Sequence, residues 1–101
     1  MSKDLDRLSM IFCKDDLERI IVHPDKEKIM VDLHGKTRKE AKKFLNNIIN
    51  VIRHPFTLEV IHGYNNGTVL KEMISKEEIN SRIVSKVVPF YNVGETILSV
   101  A

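Results

Sequence analysis

The stretch Ile29 to Leu45, IMVDLHGKTRKEAKKFL, contains a change of period that decides the fold. Ile29 to Leu33 is a short apolar run interrupted only by Asp32 and stopped by Gly35, which predicts a buried strand. Thr37 followed three residues later by Glu40 is a capping-box pattern. Its hydroxyl can accept from the Glu40 amide while the Glu40 carboxylate accepts from the amide of Thr37. Beyond it, Ala41, Phe44, Leu45, Ile48 and Ile52 fall at spacings of three and four, one apolar face of a helix. A strand, a tight turn and a capped helix in that order open a β-α-β unit.

Working outward, His54 and Pro55 close the helix, because proline disfavours helical geometry in the residue before it. Phe56, Leu58 and Val60 then alternate with Thr57 and Glu59, predicting a second strand that ends at His62-Gly63. A loop rich in glycine and asparagine follows, and Val69, Leu70, Met73 and Ile74 predict a second helix from Gly67 to about Glu78. Ile83 to Val88 and Glu95 to Val100 read as two strands joined through Pro89 to Gly94, with Asn92 and Gly94 as turn residues. Upstream, Leu5, Leu8, Ile11 and Phe12 recur at helical spacing, Ile20 to Val22 look extended, and Pro24-Asp25 marks a turn. Residues 1–28 are thus expected to be an N-terminal extension packed on a domain of residues 29–101. The fold expected is α/β, a two-layer βαβαββ sandwich with a mixed four-stranded sheet. Its first two strands should be parallel neighbours through a right-handed crossover.

With 101 residues, 43% hydrophobic and 30% charged, the chain can bury a core of its own and is neither disordered nor fibrous. Cys13 is the single cysteine, which excludes an internal disulfide and any cysteine-rich zinc site and points to a reducing compartment. Lys3, Asp4, Asp6 and Arg7 break up the first residues, so no signal-peptide core is present there, and no run approaches a membrane span. The expected location is the cytoplasm, with no membrane partner and no cofactor. The net charge of +2 is unevenly spread: Lys36, Arg38, Lys39, Lys42, Lys43 and Arg53 face one acid, Glu40, between positions 36 and 53. That segment is +5, which leaves −3 for the rest. Such a patch suits an anionic partner such as nucleic acid, and equally a solvated helix face.

Both predicted parallel strands end in His-Gly, and loops at the carboxyl ends of parallel strands are where open α/β sheets place ligands. Side chains alternate along a strand, so Asp32 and His34 share one face while Val31 and Leu33 share the other. A carboxylate beside an imidazole can fix its tautomer and raise its basicity, as a general base requires; the same pair could simply organise the turn. The loop His62, Gly63, Tyr64, Asn65, Asn66, Gly67 could offer backbone amides and a helix N-terminus to a phosphate. It lacks the Lys-Ser/Thr pair of a phosphate-binding Walker loop and is no dinucleotide fingerprint. Tyr64 could stack on a base or pack over the helix start. Alternation sets His62 opposite Asp32, which argues against a metal cluster of Asp32, His34 and His62.

Taken together, Val31-Asp32-Leu33-His34-Gly35, the helix with Glu40-Ala41 in its first turns, and Val60-Ile61-His62-Gly63 leading through Gly67 to Leu70 resemble the Smr (small MutS-related) domain family. The closing Asn92-x-Gly94-x-Thr96 and Ile97 to Val100 resemble that family's final turn and strand, so the likeness covers residues 29–101. It implies a sheet similar to the C-terminal domain of translation initiation factor three, nucleic-acid binding, and, as in several members, endonuclease activity on DNA or RNA, with a place in DNA repair. It also implies Asp32 and His34 as the catalytic residues. Phosphate and base contacts are expected from Gly35, Lys36, Arg38, Lys39, His62, Gly63, Tyr64, Asn65, Gly67 and Lys71. The second loop departs from the family pattern: Tyr64 and Asn65 stand where a basic residue and a further glycine commonly follow His-Gly. Lys71 or Lys36 would have to supply that charge. A divalent-ion requirement is left open. The rival function is a non-catalytic protein-interaction module that docks on a ribosomal or DNA-repair factor.

Overall fold

Helix α3 (Arg38–Val51) starts where its cap chemistry dictates. Thr37 Oγ1 accepts the Glu40 amide at 3.2 Å, and the Glu40 carboxylate accepts the Thr37 amide at 2.9 Å. The predicted stripe is its buried face: Ala41, Phe44, Leu45 and Ile48 are at most 3% exposed, joined by Ile49 and by Ile52 just past the helix end. At that end Arg82 takes over from the lost intrahelical bonds. Its guanidinium donates to the carbonyls of Ile49, Ile52 and His54, and its Nε to Ala101 at 2.8 Å. The orphan carbonyls of a helix C-terminus need such donors.

The computed structural model describes residues 2–63 and 67–101. Before α3 come α1 (Ser2–Ile11), α2 (Lys14–Leu17), β1 (Ile20–His23), a 3₁₀ turn (Pro24–Lys26) and β2 (Lys28–Asp32). After it come β3 (Phe56–Ile61), α4 (Gly67–Lys76), β4 (Ile83–Val87) and β5 (Glu95–Val100). The strands form one mixed, open sheet in the order β1-β2-β3-β5-β4. As expected, β2 and β3 are parallel neighbours, with Val31 opposite Val60; the other pairs are antiparallel.

Among the described residues, the expectation of four strands is corrected to five. Ile20–His23, from the segment read as an extension, adds an edge strand to β2 with Ile20 opposite Val31 and Val22 opposite Ile29. The tight connection between them puts Glu27 at φ 47°, a left-handed conformation that costs a side chain about 1 kcal/mol. The N-terminal helix is also tied in. His54, in the corner between α3 and β3, has Nε2 2.7 Å from Asp4 Oδ2 and Nδ1 2.9 Å from the Pro55 carbonyl. Both partners can only accept, so both ring nitrogens donate. The Asp4 carboxylate, followed by the Pro55 carbonyl, accordingly pushes the His54 pKa up.

Register places Ile29, Val31, Leu58, Val60 and Leu98 on one face of the sheet, all at most 2% exposed and continuous with the buried residues of α3 and α4 in one core. The opposite face carries Met30, Asp32, Glu59, Ile61, Glu95 and Ile97, none of which belongs to that core. Alternation along the strands therefore decides which side chains are free for chemistry.

Candidate functional site

The chain leaves β2 through a tight turn in which the Lys36 amide donates to the Leu33 carbonyl at 3.0 Å and Gly35 sits at φ 81°. A positive φ at the third position is type II turn geometry, which favours glycine. The turn carries His34 back over Asp32. Asp32 Oδ1 accepts the His34 amide at 3.0 Å, and both carboxylate oxygens lie 2.9 Å from His34 Nδ1. An ionised carboxylate only accepts, so Nδ1 carries a ring proton, and in the neutral ring Nε2 keeps its lone pair. The His34 side chain is 75% exposed, so that lone pair is open to a ligand from solvent. Burial alone would raise the Asp32 carboxyl; the His34 amide and ring, with the Arg19 guanidinium, outweigh it and hold Asp32 below the usual carboxylate range.

Arg19, between α2 and β1, holds the turn from behind. Its Nη1 donates to the Asp32 carbonyl at 3.0 Å and to the His34 carbonyl at 2.7 Å, while its own carbonyl accepts the Asp32 amide at 3.0 Å. Sequence reasoning missed this residue, because the contact spans thirteen positions and starts in the supposed extension. The only local sign was an arginine directly ahead of Ile20-Ile21-Val22.

His62 follows β3 as His34 follows β2, on the face opposite Asp32 that alternation predicts, and it is buried to 2% exposure. Its Nδ1 lies 3.3 Å from the Gly63 carbonyl and its Nε2 3.0 Å from Thr96 Oγ1. The carbonyl needs a donor, so Nδ1 donates and Nε2 accepts the hydroxyl proton of Thr96: a neutral ring with both nitrogens satisfied. Burial, and secondarily the charge of Lys71, push its pKa down. The amides of His62 and Gly63 both donate to the Gly94 carbonyl, at 2.9 and 3.0 Å, and Gly63 adopts φ 82°. This second His-Gly turn therefore joins β3 to the start of β5. Tyr64 and Asn65, with Asn66, lie outside the described residues; α4 begins at Gly67.

The basic segment is less free than its sequence suggests. Lys36 reaches Asp16 Oδ1 at 3.1 Å and lies 4.7 Å over the Phe44 ring, with its side chain only 14% exposed. Arg38 and Lys42 both pair with Glu77, just past the C-terminal end of α4. Lys39 is exposed and half-buried Lys71 lies near His62; among the described residues neither pairs with a carboxylate. Below Asp32 on the same sheet face is a second cluster that sequence reasoning did not find. Lys28 Nζ binds Glu59 Oε2 at 2.5 Å, and Glu59 in turn shares a hydrogen bond with Glu95. Burial pushes both carboxyls up, but Lys28 pulls Glu59 below its ordinary value. The Glu59 carboxylate adds to burial in pushing Glu95 up.

Among the described residues no three His, Cys, Asp or Glu side chains converge as a metal-ligand set, and no helix is long and apolar enough to cross a membrane. Comparison with protein-family models, with curated proteins and with solved structures finds no match to this chain.

Proposed function

We propose that this chain is an Smr-like domain that binds nucleic acid and cleaves a phosphodiester bond, with His34 as general base and Asp32 as the residue that orients it. The observation that carries this reading is the exposed Asp32–His34 pair at the carboxyl end of a parallel strand, with Nδ1 turned to the carboxylate and Nε2 turned outward. That is the arrangement a base needs to take a proton from a bound nucleophile. In RNA the nucleophile is the ribose 2′-hydroxyl: Nε2 takes its proton, the oxygen bonds to the adjacent phosphorus, and the 5′-oxygen leaves with a proton returned by the imidazolium. In DNA the same lone pair would deprotonate water. The imidazolium formed midway is stabilised by Asp32, whose low pKa keeps it charged. Lys39 and Lys71, which pair with no carboxylate among the described residues, are the expected contacts left to meet phosphate, and binding through them must weaken as salt rises.

Incubation with labelled single-stranded RNA, single-stranded DNA and branched duplexes tests this reading. Cleavage by the wild-type chain should fall by roughly 10²- to 10⁴-fold in His34→Ala, the range of a lost general base. Cleavage undiminished in that variant, or none by the wild type, removes the catalytic assignment. A second reading, a non-catalytic module docking on a ribosomal or repair protein, is supported by the exposed valines Val84 and Val87 on edge strand β4. A partner that persists after nuclease treatment of a pull-down would favour it.

A further inference from the structure

The segment between β4 and β5 contains the most exposed aromatic side chains described in the molecule. Phe90 is 95% exposed and Tyr91 72%, and the two rings meet edge to face with centroids 5.7 Å apart. A phenylalanine that buries almost nothing contributes next to nothing to folding and leaves about 200 Å² of ring surface in water. The base of this loop is well fixed. Pro89 is buried, its carbonyl accepts the Asn92 amide at 3.1 Å, and the Gly94 carbonyl accepts both His62 and Gly63. The two rings therefore stand at the tip of an anchored turn.

Topology sets that turn beside the candidate site. β5 runs antiparallel to β3 with Glu95 opposite Ile61, and Ile61 is opposite Asp32. The loop thus returns to the sheet at the edge where the Asp32–Gly35 turn leaves it. Glu59 and Glu95 share the sheet face of Asp32. Of the acids on that face, Glu59 is paired with Lys28 at 2.5 Å, and burial with the Glu59 carboxylate beside it holds Glu95 above the ordinary carboxylate range.

We infer that Phe90 and Tyr91 form a stacking platform for unpaired bases, so that the substrate of the Asp32–His34 site is single-stranded or looped-out nucleic acid. This rests on the nucleic-acid reading above. A free aromatic face accepts any base, whereas bases within a duplex are already stacked on their neighbours and cannot reach it. Successive bases on the two rings would lay the connecting phosphates across the sheet edge toward His34.

The test is made in a His34→Ala background, so that binding is read without cleavage, using a labelled ten-nucleotide RNA, the same RNA annealed to its complement, and the same RNA with abasic positions. The single strand should bind more tightly than the duplex. Phe90→Ala and Tyr91→Ala should each weaken single-strand binding by roughly 5- to 150-fold, the range for loss of one base stacked on an aromatic. Phe90→Trp should restore it, and none of these variants should alter binding of the abasic strand. Equal affinity for duplex and single strand, or an unchanged affinity in Phe90→Ala/Tyr91→Ala, overturns the platform and leaves the nucleic-acid reading standing. Failure of all three probes to bind overturns both.

Discussion

Two His-Gly turns leave neighbouring parallel strands at the same edge of one sheet, with their glycines at nearly the same angle, φ 81° and 82°, and their histidines do opposite things. His34 stands in solvent with its Nδ1 on a carboxylate, while His62 is buried with its Nε2 on a threonine hydroxyl. A step of one residue along a strand separates the two fates. Asp32 and His34 continue the polar face of β2, whereas His62 continues the line of Phe56, Leu58 and Val60 toward the core. The same dipeptide thus presents an exposed imidazole in one turn and a structural strut in the other. The surroundings that alternation assigns to each ring decide which.

The contrast is broken most severely by exchanging the consequences of losing each ring. His62→Ala should cost roughly 3 kcal/mol, because it opens a cavity and orphans the buried Thr96 hydroxyl. His34→Ala should change stability by less than about 0.5 kcal/mol, as exposed substitutions do. Urea unfolding of the two variants decides it, and a large loss at His34 would mean that its role is structural. Next in size is Arg19→Ala, which removes two charged hydrogen bonds to the turn carbonyls and should cost about 1–2 kcal/mol. Cleavage should fall as well, since the turn that aims His34 loses its support; unchanged amide shifts at His34 and Gly35 would argue against that support.

The glycines should behave alike where the histidines do not. A Cβ at Gly35 would first meet Arg19 Nη2 at 4.0 Å, ordinary contact, and one at Gly63 would meet nothing within 4 Å. Alanine at either position should therefore cost only the backbone strain of a positive φ, about 1 kcal/mol, in thermal or urea unfolding. A markedly larger loss at one of them would point to a contact beyond backbone strain. The smallest effects are in pH dependence, and they have opposite signs. The folded-state pKa of His62 is lowered, so the stability it confers is present above the unfolded value near 6.5 and is lost as pH falls through the lower folded value. That of His54 is raised, so its contribution is present below about 6.5 and is lost as pH rises through the higher folded value. His62→Gln should flatten the acid side of the stability profile and His54→Gln the alkaline side; the reverse pattern would contradict the hydrogen bonds assigned to the two rings.

What could be read from the sequence was local. The capping box at Thr37 and Glu40, the stripe of α3, the parallel β2–β3 pair and the opposed faces of Asp32 and His62 all follow from spacings within a few residues. The site pair itself was legible because its members are two residues apart. What escaped involved partners far apart in the chain. Ile20–His23 is too short a run to declare which strand it will join, and its pairing with β2 made a fifth strand. Arg19 acts thirteen to fifteen positions away. Lys36 and Arg38 read as free cations because Asp16 and Glu77, their partners, lie twenty and thirty-nine positions off. The Glu59–Glu95 pair depends on β3–β5 register, which no local pattern expresses.

The central claim is that the Nε2 lone pair of His34 removes the proton from the attacking nucleophile. Cleavage of labelled single-stranded RNA by His34→Ala, measured at neutral pH with increasing free imidazole, tests it most directly. The account predicts that the variant is nearly inactive and that imidazole in solution restores cleavage in a concentration-dependent way, by supplying the missing base in the space the side chain vacates. A variant that cleaves as fast as the wild type without imidazole would contradict the claim.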